Sequence, residues 1–127
     1  MATEFTVTLD DRPGALADLT EVLARNAVNI TALHASPCTT AGIVQFIASH
    51  ADAAIQALGD ARIDYSTREV LLLTLPNEPG ALARLARALG DQEVNIQAIY
   101  ITMGGQVVLD VSDITKAQQT AYGLGYN

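Results

Sequence analysis

An internal repeat constrains this chain more than any other feature of its sequence. Residues 13–32 and 79–98 align without a gap at an offset of 66, and 11 of the 20 aligned positions are identical. The identical pairs are Pro13/Pro79, Gly14/Gly80, Ala15/Ala81, Leu16/Leu82, Ala17/Ala83, Leu19/Leu85, Leu23/Leu89, Val28/Val94, Asn29/Asn95, Ile30/Ile96 and Ala32/Ala98. Self-similarity at a fixed period indicates a duplicated structural unit, so the chain is expected to form two copies of one small fold.

The pattern of apolar residues predicts the same order of elements in both copies. Leu16, Leu19 and Leu23 lie on one helical stripe after a β-rich segment, and their repeat partners do the same. The first copy is predicted to contain strands at 4–9, 29–35, 43–49 and 63–67, a turn at Gly42 and a second helix at 52–58. The second copy is predicted to contain strands at 69–75, 95–102 and 106–111, a turn at Gly104-Gly105 and a second helix at 115–122.

This order is βαββαβ, which predicts an α+β fold of two ferredoxin-like sandwiches in tandem. The domains are predicted at 1–68 and 69–127, and no Gly or Pro separates them between residues 63 and 75. Because only four residues follow Gly123, the second copy is expected to lack its closing strand.

Composition argues against several classes of partner. The formal net charge is −7, which disfavours nucleic acid and anionic membrane surfaces. Phe46 is the only aromatic residue on either predicted third strand, whereas RNA-binding modules of this fold need several there. With a single cysteine, no leader and no long apolar run, the chain is expected to be cytoplasmic.

No residue pattern predicts catalysis, a cofactor or a metal site. The spacing of His34, Cys38 and His50 matches no common set of metal ligands. No serine, cysteine or lysine has an obvious activating base. We therefore expect a protein that is not an enzyme.

The candidate binding site is the corner where each first strand meets its helix. The first amides of a helix have no intrahelical acceptor and favour an anion, and glycine allows a ligand to approach the backbone. Asp11 or Asn77 at the corner, and Asn29 or Asn95 further on, are candidates to bind an ammonium group. Alternatively, Asp11 and Asn77 only cap the helices, the glycines only shape the turns, and the two later asparagines are turn residues.

At these residues the sequence resembles a known family. The pattern D/N-x-P-G-x-L, followed fifteen residues after the glycine by V-N-I, is similar to the ACT domain, a regulatory module of amino-acid metabolism. The resemblance covers both copies and implies that a small molecule, usually an amino acid, binds at an interface between ACT domains. In the serine-binding version of the family a histidine also contacts the ligand, but Leu9 and Leu75 stand at that position here.

These observations predict a regulatory sensor that binds a small amino acid or related metabolite, with an enzyme or a regulator as its partner. The alternative is a protein–protein interaction scaffold without a small ligand. The apolar strands of the second copy also predict a homodimer or larger assembly. The predicted ligand-binding residues are Asp11, Gly14, Ala15, Leu16, Asn29, Ile30, Asn77, Gly80, Ala81, Leu82, Asn95 and Ile96.

Overall fold

The duplicated sequence folds into two units, which we call the first unit (Thr3–Arg68) and the second unit (Glu69–Asn127 with Met1–Ala2). The structure is a computed structural model that describes residues 1–39 and 41–127. Its elements are β1 (Ala2–Asp10), α1 (Ala15–Arg25), β2 (Ile30–Cys38), β3 (Ala41–Ala48), α2 (Ala51–Asp60), β4 (Ser66–Leu73), α3 (Ala81–Asp91), β5 (Ile96–Ile101), β6 (Val107–Val111) and α4 (Ile114–Gly123). We propose domain boundaries at 1–68 and 69–127.

In the first unit, β3 lies between β2 and β1, and both pairings are antiparallel. Alternate residues of the sheet point toward the helices, so Phe5 and Phe46 are cross-strand partners in the core. Their rings stack with centroids 5.2 Å apart. Leu19 and Leu23 of α1 and Leu58 of α2 complete this core. Leu16, the third residue of the predicted stripe, is instead 41% exposed.

The second unit repeats the arrangement, with β6 antiparallel to both β4 and β5. Its core contains Leu71 and Leu73 of β4 and Leu85 and Leu89 of α3. Tyr126, which follows α4, is only 5% exposed and belongs to the same core. The prediction of tandem ferredoxin-like sandwiches is therefore confirmed.

The prediction of two successive strands at 63–67 and 69–75 is wrong. A single strand, β4, takes their place. Ile63 is instead part of the turn that ends α2, where its N–H donates to the Leu58 carbonyl. Arg62, immediately before it, has a left-handed φ of 57°. The end of α2 therefore includes Ile63, which the apolar pattern assigned to a strand.

The predicted turn at Gly42 is also wrong. Gly42 lies inside β3, where it pairs with Leu9 of β1 and with Pro37 of β2. A turn follows Cys38 at Thr39, and Thr40 lies outside the described residues.

In the described part of the chain no strand follows α4, in agreement with the prediction of a missing closing strand. The tail is nevertheless bonded, because the Thr74 N–H donates to the Asn127 carbonyl at 2.8 Å. The apolar surface expected on the second unit is also smaller than predicted, since Val70 and Val108 are fully buried. No helix in the described residues is long and apolar enough to cross a membrane.

Candidate functional site

The two strand-to-helix corners have nearly the same backbone. Gly14 is the N-cap of α1 with φ 88°, and Gly80 is the N-cap of α3 with φ 90°. This left-handed conformation is rarely adopted by other residues, so the turn explains why glycine stands at both positions. The glycines therefore have a structural role whether or not a ligand binds.

Each corner leaves two backbone donors available at the start of its helix. The Ala15 N–H donates to the Arg12 carbonyl, and the Asp18 N–H donates to Gly14. Between them, the amides of Leu16 and Ala17 have no backbone acceptor among the described residues, and the same holds for Leu82 and Ala83 in the second unit. Such donors at the positive end of a helix dipole favour a carboxylate.

The side chains before the glycines do not cap the helices. Among the described residues, the first amides of α1 and α3 donate no hydrogen bond to a capping side chain, so the capping alternative for Asp11 and Asn77 is not supported. Both side chains are exposed beside the corner.

Asn29 and Asn95 lie elsewhere in their units. Each exchanges hydrogen bonds through its backbone with a serine: the Asn29 N–H donates to Ser49 Oγ, and the Asn95 N–H donates to Ser112 Oγ. The serine N–H groups donate back to the asparagine carbonyls. These two serines, each one residue after a third strand, fix the asparagines and were not singled out from the sequence.

The corner and the later asparagine of one unit are not brought together. Helix α1 has 11 residues, and at 1.5 Å per residue it separates Gly14 from the start of β2 by about 16 Å. The sheet register agrees, since Asp10 pairs with Ala41 at one end of β3 while Ile30 pairs with Ala48 at the other. The same spacing holds for Gly80 and Asn95 across α3. One unit therefore offers two separate groups of predicted residues.

The remaining predicted residues divide by exposure. Ala15 and Ala81, the first residues of α1 and α3, are buried. Leu16 and Leu82, which follow them, are 41% and 48% exposed. Ile30 and Ile96 are half-buried first residues of β2 and β5. In the first unit, a cavity of about 300 Å³ lies at the corner, lined by Asp11, Leu16 and residues at the end of β2 and the start of β3.

Sequence reasoning missed an arginine at each corner. Arg12 donates to the Asp18 carboxylate at 2.8 Å, and Arg84 donates to the Glu78 carboxylate at 3.2 Å. At the repeat offset of 66, Arg12 corresponds to Glu78 and Asp18 to Arg84, so the same ion pair occurs twice with its charges exchanged. Comparing the non-identical positions of the repeat would have revealed this exchange.

Hydrogen bonds raise the pKa of both guanidinium groups. The bond to Asp18 is the main cause that raises the pKa of Arg12, and the bond to Tyr126 is the main cause that raises the pKa of Arg84. Each guanidinium also lies near its N-cap glycine, since a Cβ placed on Gly14 would be 3.8 Å from Arg12 Nη1 and one on Gly80 would be 3.5 Å from Arg84 Nη1. A fixed positive charge therefore stands beside each pair of available amides.

No metal centre is visible in residues 1–39 and 41–127, where no three histidine, cysteine or acidic side chains are grouped as ligands. Cys38 is exposed and reduced at the end of β2. His50 precedes α2, and its Nδ1 lies 3.2 Å from Ser49 Oγ.

Comparison with known proteins gives a family and several similar structures. The family model of the ACT domain pair matches residues 1–121. A crystal structure of a Bacteroides thetaiotaomicron protein is 29% identical with a TM-score of 0.91, over 99% of this chain and 90% of that one. The ligand-free regulatory subunit of aspartate kinase from Thermus thermophilus is 18% identical with a TM-score of 0.71, over 96% of this chain and 90% of its own. The corresponding subunit from Thermus flavus is 15% identical with a TM-score of 0.67 and the same coverage. No curated protein sequence matches this chain.

Proposed function

The chain belongs to the ACT domain pair family, a regulatory module, and on that premise we propose that it binds an amino acid or related small zwitterion without transforming it. In this proposal the chain is a sensor: ligand binding favours one of its conformations and thereby changes the behaviour of a partner.

The corner geometry is the observation that carries the proposal. Two amides at the start of α1 and two at the start of α3 have no backbone acceptor within residues 1–39 and 41–127, and each pair lies beside a left-handed glycine and an arginine. These groups suit an α-carboxylate. The exposed side chains of Asp11 and Asn77 suit an α-ammonium group.

The separation of the corners from Asn29 and Asn95 favours a second candidate function. If the glycines only shape turns and each asparagine only pairs its backbone with a serine, the chain is an interaction scaffold that binds protein alone. The two functions differ in whether any small molecule stabilises the fold.

The proposed partners follow from the same premise. The two Thermus proteins are examples of this fold used as regulatory subunits, and we propose a regulated enzyme or regulator as the partner here. The net charge of −7 supports a partner other than nucleic acid or an anionic membrane. The single, free Cys38 supports a cytoplasmic location.

A thermal-shift screen against the twenty amino acids tests the proposal. A ligand present at about 100 times its dissociation constant stabilises the folded state by about 2.7 kcal/mol, which is a clear shift in melting temperature. If no amino acid or related metabolite shifts the melting temperature, the scaffold function replaces the sensor.

Substitutions then locate the ligand. Asn77→Ala and Asp11→Ala should reduce the ligand-induced shift while leaving the ligand-free melting temperature nearly unchanged, because both side chains are exposed and cap nothing. Asn95→Ala tests the other group of predicted residues separately. Gln56→Ala, on the exposed face of α2, is the matched control and should leave the shift intact.

A further inference from the structure

A groove of about 650 Å³ in the first unit adjoins the corner and shares Arg12 and Ala15 with it. It lies beside β1 from Thr6 to Asp10, against the first turns of α1, and under the segment that leads from α2 to β4. Its volume is within the range of about 300–1,000 Å³ that holds small ligands in proteins.

The second unit shows what this position holds when it is filled. Helices α2 and α4 end in the same way: Ile63 donates to Leu58 five residues back, and Tyr126 donates to Ala121 five residues back. The preceding residues, Arg62 and Gly125, are both left-handed. Ile63 and Tyr126 are therefore structurally equivalent, although the repeat offset of 66 does not align them.

Tyr126 extends its ring beneath the start of α3. Its hydroxyl donates to the Ala81 carbonyl at 3.4 Å and accepts from Arg84 Nε at 3.1 Å. The first-unit equivalents of these two residues are Ala15 and Asp18, and both line the groove together with Ile63. The shorter Ile63 thus leaves open in the first unit a position that an aromatic ring occupies in the second.

The walls of the groove combine apolar and charged groups. Leu19, Val22 and Ile63 form an apolar wall, and Tyr65 is held nearby by its contact with Phe5, with ring centroids 5.8 Å apart. Arg12 supplies one positive charge. The carboxylates that line the groove belong to Asp10, Asp18 and Asp64. The net negative wall disfavours a purely anionic ligand and favours one that carries an ammonium group as well.

We propose that this groove binds an aromatic α-amino acid, whose ring lies where Tyr126 places its ring in the second unit. The carboxylate of the ligand pairs with Arg12 and its ammonium group pairs with the groove carboxylates. The inference rests on the proposed amino-acid binding, but it names the side-chain class and assigns it to the first unit alone.

Calorimetry on the full chain tests the inference with phenylalanine and tyrosine as probes. We expect one site per chain, binding at least tenfold tighter than glycine or serine. Phenylpyruvate, which has the ring and carboxylate but no ammonium group, should bind at least tenfold more weakly than phenylalanine. Equal binding of phenylpyruvate and phenylalanine would contradict the charged part of the proposal and overturn it.

The variant Ile63→Tyr copies Tyr126 into the first unit and should reduce phenylalanine affinity at least tenfold. Ile55→Tyr makes the same change on α2 outside the groove and should leave the affinity unchanged. If Ile63→Tyr does not fold, Asp64→Lys serves instead, since Asp64 is exposed and its reversal should weaken binding several-fold. Asp60→Lys, which lies outside the groove, is its control.

The results separate this inference from the proposed function. If no amino acid binds, both are wrong. If only small amino acids bind, or if an aromatic ligand is insensitive to Ile63→Tyr and Asp64→Lys, the groove is not the site and the proposed sensor remains.

Discussion

At the scale of single residues, Gly14 and Gly80 show why a binding test must be separated from a folding test. Both have φ near 90°, so any side chain at these positions strains the backbone. Steric room is not the obstacle, because a Cβ on Gly80 would make only an ordinary contact of 3.5 Å with Arg84 Nη1. A substitution there that abolishes ligand binding would report backbone strain as well as lost contact.

We therefore expect Gly80→Ala to reduce the free energy of unfolding by about 1–2 kcal/mol through its left-handed conformation alone. Gly90→Ala, in the same helix with open space around its Cβ, should instead increase it by about 0.5–1 kcal/mol. Urea titrations followed by circular dichroism measure both. A Gly80→Ala protein as stable as the wild type would contradict the assigned role of this glycine.

At the scale of elements, the exchanged ion pair couples each corner to its own helix. In α1 the carboxylate of Asp18 is in the first turn, where it also interacts favourably with the helix dipole. In α3 the guanidinium of Arg84 takes that place and is held by Tyr126 and Glu78. The two units thus reach the same local geometry with opposite charges.

The exchange predicts the outcome of charge reversals in the first unit. Arg12→Glu and Asp18→Arg should each lower the melting temperature, because each places like charges together. The double variant copies the second unit and should recover most of the loss. Recovery should be incomplete, because the cation now lies in the first turn of the helix.

Melting curves at low salt and at about 1 M salt check the electrostatic origin of these effects. The differences among the variants should shrink at high salt, where exposed charges are screened within about 3 Å. A double variant no more stable than the worse single variant would show that the pair does not couple the corner to the helix.

At the scale of the whole molecule, the exposed apolar residues indicate where copies of the chain would associate. Ile99, Ile101 and Met103 of the second unit are 41%, 68% and 85% exposed at the end of β5 and the following turn. Since Val70 and Val108 are buried, this patch is smaller than the sheet face expected from sequence. We propose that it forms the contact of a homodimer or larger symmetric assembly.

The double variant Ile101→Lys/Met103→Lys should convert that assembly to monomers by placing two charges in the contact. Ile55→Lys, an exposed isoleucine of the first unit, should leave the assembly intact. Light scattering at micromolar concentration measures the molar mass. A wild-type chain that is monomeric with and without ligand would overturn the proposed self-association.

Much of the fold was predictable because the repeat reports it twice. The leucine stripes identified α1 and α3, and the strands other than the pair predicted at 63–67 and 69–75 were placed within a few residues. The end of α2 was misassigned because Ile63 is apolar, and an apolar pattern does not distinguish a strand residue from one that packs under a helix end.

The candidate site was only partly predictable. The Pro-Gly corner was found because its glycine is required by local backbone geometry, which a short motif records. The distance between that corner and Asn29 was missed because the repeat gives the order of residues along the chain, not their separation in the folded unit. The ion pair was missed because its charges are exchanged between the two units. The serines were missed because they lie outside the aligned repeat.

The sequence by itself therefore determined the duplication, most of the order of helices and strands, and the two Pro-Gly corners. These properties depend on local conformational preferences and on burial periodicity, both of which are written along the chain. Only the tertiary structure decided that the Tyr126 side chain fills the space beneath the start of α3 in the second unit, while Ile63 leaves a groove at the equivalent position of the first unit. That difference arises because side chains distant in sequence compete for the same space, and the size of each is decisive only when its neighbours are in place.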